Sequence, residues 1–279
     1  WWPYAIGLPL VYMALVLVIT LADFALAWIW RTPRAPAQRI GAARTIRMIA
    51  AEFWTLLFSG SRMMTYRWRL PDPAPAPAAL PIVLVHGVLC NAGVWTGFAR
   101  RLADAGIGPV YAVSYGPPLR AIGDFAQQLE TCIAEALAAT GAARAIVVTH
   151  SMGGLVARDH LRTLGARGAG HRIARVVTIG APHHGSRFAS LAPGACMAQM
   201  RPGNAWIGAL PPAPADPPFV SLWSPHDSMV APQASCVLVG AENVAFPGIG
   251  HNALLRDDAI FARVVAEIET ARAAAISYQ

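Results

Sequence analysis

The sequence predicts an α/β protein built on a mostly parallel, doubly wound sheet, with two helices ahead of it. Three observations lead to this prediction. After residue 79, short apolar runs rich in β-branched residues alternate with stretches of helical periodicity, which is typical of parallel strands joined by crossover helices. One of these runs passes through a turn of small residues into a helix at 145–157. Before residue 79, a long apolar segment precedes a basic helical one.

The composition favours a protein that is partly embedded in a membrane. Of the 279 residues, 55% are hydrophobic and only 13% are charged, which is too apolar for an ordinary soluble protein. The net charge of +7 comes from arginines scattered among alanines and prolines. Nucleic-acid binding needs a clustered basic face with interleaved aromatic residues, so no nucleic-acid partner is expected.

Residues 1–30 are predicted to form a transmembrane anchor. The segment 5–30 is apolar except for Asp23 and is long enough to cross a bilayer. Tryptophans and tyrosines at its two ends resemble interfacial aromatic belts, and Arg31 and Arg34 follow it. The alternative is a secretory signal peptide cleaved after Ala27, although the apolar run is longer than usual for such a peptide.

Residues 31–78 are predicted to form an amphipathic juxtamembrane helix and a spacer. One helical face between residues 39 and 64 carries the apolar side chains of Ile46, Ile49, Phe53, Trp54 and Leu57. The arginines of this segment lie mostly off that face. This pattern predicts a basic helix at the membrane surface. A helix packed on the domain that follows it, or on a second copy in a homodimer, is the alternative. The Pro/Ala-rich residues 71–77 form a stiff extended spacer.

Residues 79–279 are predicted to form the catalytic domain. Active residues of such a sheet lie on loops at the carboxyl ends of its strands. The predicted strands are 82–85, 110–113, 145–148, 176–179, 219–222 and 244–246, and the predicted helices are near 92–105, 122–140 and 155–164 and from 258 onward.

Ser151 is the candidate nucleophile. It lies at the tip of the turn between a strand and a helix, where a serine is exposed to a base and to backbone N–H donors. Gly153 and Gly154 let the turn and the new helix pack closely, and the backbone amide of Met152 is a candidate oxyanion donor. Thr149 occupies the position of the first glycine of the G-x-S-x-G pattern.

A base and an acid for Ser151 are expected later in the chain. His251 follows a short strand and precedes the last helix, and Asp227 directly follows the predicted strand 219–222. The chain order serine, acid, histidine is the one this fold uses. Asp216 is the rival acid, but it lies in a proline-rich loop before that strand.

The loop after the first strand of the domain is expected to complete the oxyanion hole. Gly87 permits an inward backbone turn, which makes the Val88 amide the second candidate donor beside Met152. His86 is interpreted as bracing this loop, and Cys90 as a packing residue.

Five blocks in order resemble the bacterial lipases of the α/β-hydrolase superfamily: His86-Gly87, Thr149-His-Ser-Met-Gly-Gly154, Val177-Thr-Ile-Gly-Ala-Pro-His-His-Gly-Ser186, Trp223-Ser-Pro-His-Asp-Ser-Met-Val230 and Gly248-Ile-Gly-His-Asn-Ala-Leu-Leu255. The resemblance covers residues 81–261. It implies a Ser151, Asp227, His251 triad, oxyanion donors at Val88 and Met152, and hydrolysis of lipid-like carboxylic esters without a cofactor.

The sequence departs from the larger lipases of this kind at their calcium site, and it shares cysteines in places comparable to those of their disulfide. Their calcium site has an aspartate shortly after the catalytic histidine, whereas Asn252, Ala253 and Leu254 follow here, so no metal is expected. Their disulfide joins regions comparable to those of Cys196 and Cys236; a bridge and two buried thiols both remain open.

The insertion at 186–216 carries apolar residues in a loose helical pattern. A lid over the acyl pocket and an ordinary packed excursion are both compatible with that pattern. His183 and His184 are interpreted as bracing residues, because no further ligand stands at metal spacing.

These features together predict a membrane-anchored lipase or esterase, with a phospholipase among the options. An acyltransferase using the same triad and a catalytically silent scaffold are the alternatives. The expected location is a bacterial inner membrane. The positive-inside rule would keep the catalytic domain in the cytoplasm, yet the lipases it resembles mostly act outside it, and a periplasmic domain is the expectation.

Overall fold

The computed structural model describes residues 2–70, 72–78, 80–166 and 172–276. Within these ranges the helices are α1 (Trp2–Ile29), α2 (Ala42–Met64), α3 (Tyr66–Arg69), α4 (Thr96–Asp104), α5 (Ile122–Thr140), α6 (Gly153–Ala166), α7 (Ala195–Gln199), α8 (Ala205–Gly208) and α9 (Asp258–Ile276). The strands are β1 (Ile82–Val85), β2 (Val110–Val113), β3 (Ala145–His150), β4 (Ile173–Ile179), β5 (Phe219–Trp223) and β6 (Glu242–Ala245).

The six strands form one parallel sheet in the order β2-β1-β3-β4-β5-β6. The strand order changes direction at β1, so the loops after β1 and β3 leave the sheet side by side at the carboxyl ends of the strands. Ligands of open parallel sheets bind at this kind of position. The predicted fold class is confirmed.

Helices cover both faces of the sheet, which is why the central strands are continuous apolar runs. On one face, Val83 and Val85 pack with side chains of α5 and α6. On the other face, Ile82 and Leu84 pack with side chains of α4 and α9. All four residues of β1 are buried, as expected for a strand between two neighbours and two helical layers.

Helices α1 and α2 form an N-terminal hairpin that lies against the α/β domain formed by the sheet and its helices. The Tyr12 hydroxyl donates to the carbonyl of Leu57 at 3.0 Å, which joins the two helices. Within the described residues, one helical segment, Gly7–Ile29, is long and apolar enough to cross a membrane, with a mean hydropathy of 2.4. Most of its large apolar side chains are exposed.

The apolar face predicted for α2 is divided between two environments. Met48, Thr55 and Leu57 are buried, as is Glu52. Ile46 and Trp54 are 67% and 49% exposed, and Phe58 is exposed as well. One side of α2 therefore packs inside the protein, as the alternative interpretation of the sequence expected, and an apolar stripe on its other side remains exposed.

The insertion at 186–216 is packed onto the α/β domain. Met197, Met200, Ile207 and Leu210 are buried in the same core cluster as the side chains of α5. The backbone amide of Ile122 donates to the Gln199 side chain at 2.8 Å, which ties α7 to the start of α5.

Candidate active site

Ser151 lies at a sharp elbow between β3 and α6. Its φ angle is +56°, a left-handed conformation that a non-glycine residue adopts only under structural constraint. The amide of Ser151 donates to the carbonyl of Ile179 at 2.9 Å, and its carbonyl accepts from the amide of Gly154 at 3.0 Å. These bonds fix the turn, and the Ser151 residue stays half-buried at the carboxyl edge of the sheet.

Two glycines let the elbow and the loop after β1 approach each other. A Cβ on Gly153 would lie 2.7 Å from the carbonyl oxygens of Val85 and His86. A Cβ on Gly87 would lie 2.9 Å from the Ser151 Cβ and 3.3 Å from its Oγ. The loop carrying Val88 therefore passes directly beside the serine.

Asp227 and His251 form a buried pair. The Nδ1–H of His251 donates to Asp227 Oδ2 at 2.8 Å. The other carboxylate oxygen, Oδ1, accepts from the amides of Met229 at 2.8 Å and Val230 at 2.7 Å, which fixes the carboxylate. Because Nδ1 carries the proton, Nε2 of the neutral ring is left as the basic nitrogen.

The pair lies against the nucleophile strand. His150 immediately precedes Ser151, and its Nε2–H donates to the carbonyl of His251 at 3.1 Å. The two imidazole rings are 4.7 Å apart, centroid to centroid. The structure thus brings together three regions that are far apart in the sequence, around Ser151, Asp227 and His251.

The charges around the pair favour the protonated form of the His251 imidazole. Burial acts to lower the pKa of His251, but the charge and hydrogen bond of Asp227, and then the charges of Glu52 and Asp23, outweigh it. The net pKa is raised above the ordinary histidine value. A raised pKa is the direction expected for a general base that must hold a proton during a reaction.

The rival acid lies elsewhere. Asp216 is exposed, and its carboxylate is 3.7 Å from Arg144. Arg144 immediately precedes β3, at the amino end of the strands, so Asp216 lies at the edge of the sheet opposite to His251.

The candidate oxyanion donors flank Ser151. Met152 is the next residue in the elbow, and Val88 follows Gly87 in the neighbouring loop. Among the described residues, neither backbone amide donates a hydrogen bond. Two unused N–H groups beside a serine are what an oxyanion hole requires.

The other histidines described near the site are buried or hydrogen-bonded in ways that do not suit a general base for Ser151. His86 donates from Nδ1 to the carbonyl of Gly87 at 2.8 Å and stacks on Tyr115, and burial lowers its pKa to about 4. Burial also lowers the pKa of His150 to about 3. His183 is buried beside Thr178, and His184 contacts the carbonyl of Val237 at 3.0 Å.

The cysteines are free thiols. Cys196 and Cys236 are buried and unbridged, so the structure contains the two thiols and not the disulfide. Burial raises the pKa of Cys90 to about 11, which leaves it a protonated thiol at neutral pH. Among the described residues, no group of three or more His, Cys, Asp or Glu side chains could hold a metal ion.

Glu52 of α2 is a site residue that the sequence analysis missed. Its carboxylate is buried and accepts from Asn252 and Ala253, directly after His251. Glu52 is the one acidic residue between residues 24 and 71, and it stands next to the apolar face of a basic helix. That isolation was the available signal, but periodicity does not reveal which partner covers a helix face.

Known proteins resemble this chain in the same region. The alpha/beta hydrolase family matches residues 82–234. Triacylglycerol lipases of Pseudarthrobacter phenanthrenivorans and Burkholderia plantarii are each 33% identical over 127 residues, which is 41% of this chain and 36% and 32% of those proteins. The chain thus spans about a third of the length of these curated relatives.

Two solved structures share the fold. A Bacillus licheniformis lipase in its mature form aligns with a TM-score of 0.60 at 18% identity, covering 70% of this chain and 95% of the lipase. An Aspergillus fumigatus lipase B aligns with a TM-score of 0.56 at 21% identity, covering 66% of this chain and 51% of that protein. The family match covers more than half of the chain and includes the candidate nucleophile, so the chain belongs to the alpha/beta hydrolase family.

Proposed function

We propose that the protein is a membrane-anchored serine hydrolase of carboxylic esters, with Ser151, Asp227 and His251 as its triad. The observation that carries the proposal is the constrained Ser151 elbow beside the buried Asp227–His251 pair. A left-handed backbone conformation is strained at a serine, and such strain is concentrated at functional sites. A serine held in this way between a strand and a helix is typical of a nucleophile elbow.

The proposed reaction has two steps. His251 Nε2 takes the proton of Ser151 Oγ as that oxygen attacks the ester carbonyl, and the oxyanion is held by the amides of Val88 and Met152. The alcohol leaves with the proton that His251 returns, and an acyl-enzyme remains. Water then repeats the sequence and releases the carboxylic acid. Asp227 keeps the imidazole in the required tautomer and stabilises the imidazolium.

The proposed substrates are acyl esters of lipids. The curated relatives are named triacylglycerol lipases, which supports this substrate class. The position of the apolar hairpin supports it too. The Arg34 side chain donates to the carbonyl of Pro225 at 2.8 Å, two residues before Asp227, and Trp30 packs edge-on against Phe188. A bilayer around α1 would therefore lie beside the site.

In this proposal α1 is a retained anchor and residues 31–78 connect it to the catalytic domain, residues 79–279. Contacts between α1 and the rest of the protein support retention in place of cleavage as a signal peptide. Besides the Tyr12 bond to α2, the side chain of Gln233 donates to the carbonyl of Ala27 at 3.4 Å. A single anchor in a bacterial inner membrane with a periplasmic catalytic domain is the proposed topology, and protease accessibility in spheroplasts tests it.

The decisive experiment is active-site labelling of the detergent-solubilised full chain with a fluorophosphonate, followed by mass spectrometry of the modified peptide. Activity on p-nitrophenyl esters, triacylglycerols and phospholipids is measured in parallel, with Ser151→Ala as the control. We expect label on Ser151 and loss of both label and turnover in the variant. A folded wild-type protein without label or turnover would refute the proposed triad, and acyl transfer to an added alcohol would show an acyltransferase.

A further inference from the structure

Glu52 connects the N-terminal hairpin to both loops that carry the acid and the base. Glu52 lies on α2, and the residue is 1% exposed. Oε1 accepts from the Asn252 amide at 2.9 Å and from the Asn252 side chain at 2.9 Å. Oε2 accepts from the amide of Ala253 at 2.8 Å. The backbone directly after His251 is thus held by a residue that lies some two hundred positions earlier.

A serine extends this connection to the acid loop. The hydroxyl of Ser228 donates to Glu52 Oε1 at 3.0 Å and accepts from the amide of His251 at 3.1 Å. Ser228 is the residue after Asp227. One carboxylate therefore fixes the backbone on both sides of the Asp227–His251 hydrogen bond, and the geometry of that bond depends on α2.

The buried carboxylate of Glu52 lacks a positively charged partner within the described part of the chain, which is unusual for a group whose role is purely structural. Among the described residues no arginine or histidine forms an ion pair with it, so only neutral donors compensate the buried carboxylate. A buried charge without a countercharge is expensive, and its field acts strongly on nearby groups. Gly250, next to His251, approaches so closely that a Cβ there would lie 2.7 Å from Glu52 Oε2.

From this geometry we propose that Glu52 is a positioning residue for His251, so that α2 is an integral part of the active site. This inference rests on the function proposed above. Glu52 holds the histidine loop against the elbow, and its negative charge stabilises the imidazolium that forms while Ser151 attacks. The same helix exposes Ile46, Trp54 and Phe58 on its other side, so the membrane-facing hairpin and the catalytic base are rigidly joined.

The charged and titratable groups around His251 set its pKa, which the pH dependence of activity measures. Asp227, Glu52 and Asp23 each raise the pKa of His251 against the effect of burial. The neighbouring His150 has a pKa lowered to about 3 and is neutral in the working range. Loss of the Glu52 charge therefore lowers the pKa of His251, and the acidic limb of the kcat/KM profile moves to lower pH.

The experiment compares full-chain Glu52→Gln with the wild type on a soluble p-nitrophenyl ester across pH 5–9, after fluorophosphonate titration of active sites. We expect kcat to fall between about 10- and 100-fold with little change in KM, because the base is misplaced while the substrate pocket remains. The acidic limb of the kcat/KM profile should move to lower pH by about half a pH unit or more. Glu52→Asp, which keeps the charge, should retain the wild-type limb and recover part of kcat.

Glu135→Gln is the matched control, because Glu135 is an exposed glutamate on α5 and the chemical change is the same. It should match the wild type in kcat and in pH profile. Wild-type kcat and an unmoved limb in Glu52→Gln would overturn the inference. So would a loss of activity in Glu52→Gln that disappears once rates are expressed per titrated active site. A wild type without label or turnover would instead refute the proposed function itself.

Ser228→Ala keeps the inference testable if Glu52→Gln fails to fold. It removes the hydroxyl between Glu52 and the His251 amide but leaves the charge, so kcat should fall while the acidic limb stays in place. If the double variant of Glu52→Gln and Ser228→Ala is stable, its fold-loss in kcat should be smaller than the product of the two single fold-losses, because the two residues act through one connection. Unchanged kcat in Ser228→Ala would overturn the connection.

Discussion

The Ser151 elbow depends on the absence of a side chain at Gly153. A Cβ there would meet the carbonyl oxygens of Val85 and His86 at 2.7 Å, and both are backbone atoms at the end of strand β1. Gly153→Ala should therefore lower the free energy of unfolding by about 1–3 kcal/mol and displace the serine. Chemical denaturation and fluorophosphonate labelling rates measure the two effects.

Gly97 provides the matched control for this substitution. It lies in α4, and a Cβ on it would meet no atom within 4 Å. Gly97→Ala should leave labelling unchanged and raise the free energy of unfolding by up to about 1 kcal/mol, because alanine favours a helix more than glycine does. Equal stability changes in the two variants would contradict the role assigned to Gly153.

The pH dependence of ester hydrolysis should identify His251 as the base. The base must be neutral to accept the Ser151 proton, so kcat/KM rises with pH as His251 loses its proton. Because the pKa of His251 is raised, the midpoint of this rise should lie above about 6.5. A midpoint near 4 would point instead to His86, whose pKa is lowered to about 4.

Candidate site residues were predictable from the sequence where they stand in local patterns. Ser151 interrupts an apolar run at a glycine turn, and Asp227 and His251 follow strand-like runs in the order that this fold uses. Glu52 had no such pattern. Its role depends on which surface of the domain α2 covers, and helical periodicity defines a face without defining the partner of that face.

At the scale of elements, Arg158 joins α6 to the end of the insertion. Its guanidinium is buried and donates to the carbonyls of His183 at 2.8 Å, Leu210 at 3.2 Å and Pro211 at 2.7 Å. Arg158→Met should lower the free energy of unfolding by about 3 kcal/mol, because these carbonyls lose a charged donor. Arg100 is exposed beside Asp104, so Arg100→Met should change stability by less than about 1 kcal/mol. Urea denaturation of both variants checks this.

The elements were predicted with uneven success, for physical reasons. The alternation of apolar runs and helical stretches predicted β1 and β3 most clearly, because these strands are fully buried and buried parallel strands are continuously apolar. The strand β6 (Glu242–Ala245) is largely exposed and begins with two polar residues, so the predicted range 244–246 missed its start. The insertion was harder, since its short helices α7 and α8 have too few turns for a clear period. Arg158, an ordinary helical arginine in the sequence, gives no sign that it holds the insertion in place.

At the scale of the whole molecule, charge is distributed unevenly. The ion pairs among the described residues all involve side chains between residues 100 and 272. Within the part of the chain that the structure describes, the N-terminal arginines form no such ion pair: Arg31, Arg34, Arg39, Arg44, Arg47, Arg62, Arg67 and Arg69. These arginines belong to the same N-terminal part of the chain as the exposed apolar residues of α1 and α2. Basic residues combined with an exposed apolar surface attract a helix to anionic lipid surfaces.

This distribution predicts how the full chain approaches a membrane. Transfer from detergent to vesicles containing phosphatidylglycerol should be faster than to neutral vesicles at low ionic strength. The difference should shrink as salt shortens the Debye length from about 30 Å at 0.01 M to about 8 Å at 0.15 M. Once inserted, the protein should resist a salt wash, because burial of α1 and not charge then holds it. Stopped-flow light scattering and vesicle flotation measure the two stages.

Two triple variants with the same net charge separate a local basic surface from overall charge. Arg31, Arg39 and Arg47 are replaced by glutamine in the first, and Arg100, Arg144 and Arg272 in the second. Each arginine near an anionic surface contributes about 1 kcal/mol of attraction, so the first variant should lose most of its preference for anionic vesicles. The second should keep it, because its arginines lie on the catalytic domain and already face acidic partners. Equal losses in both would mean that net charge alone drives the approach, and that the hairpin has no special orientation toward the lipid.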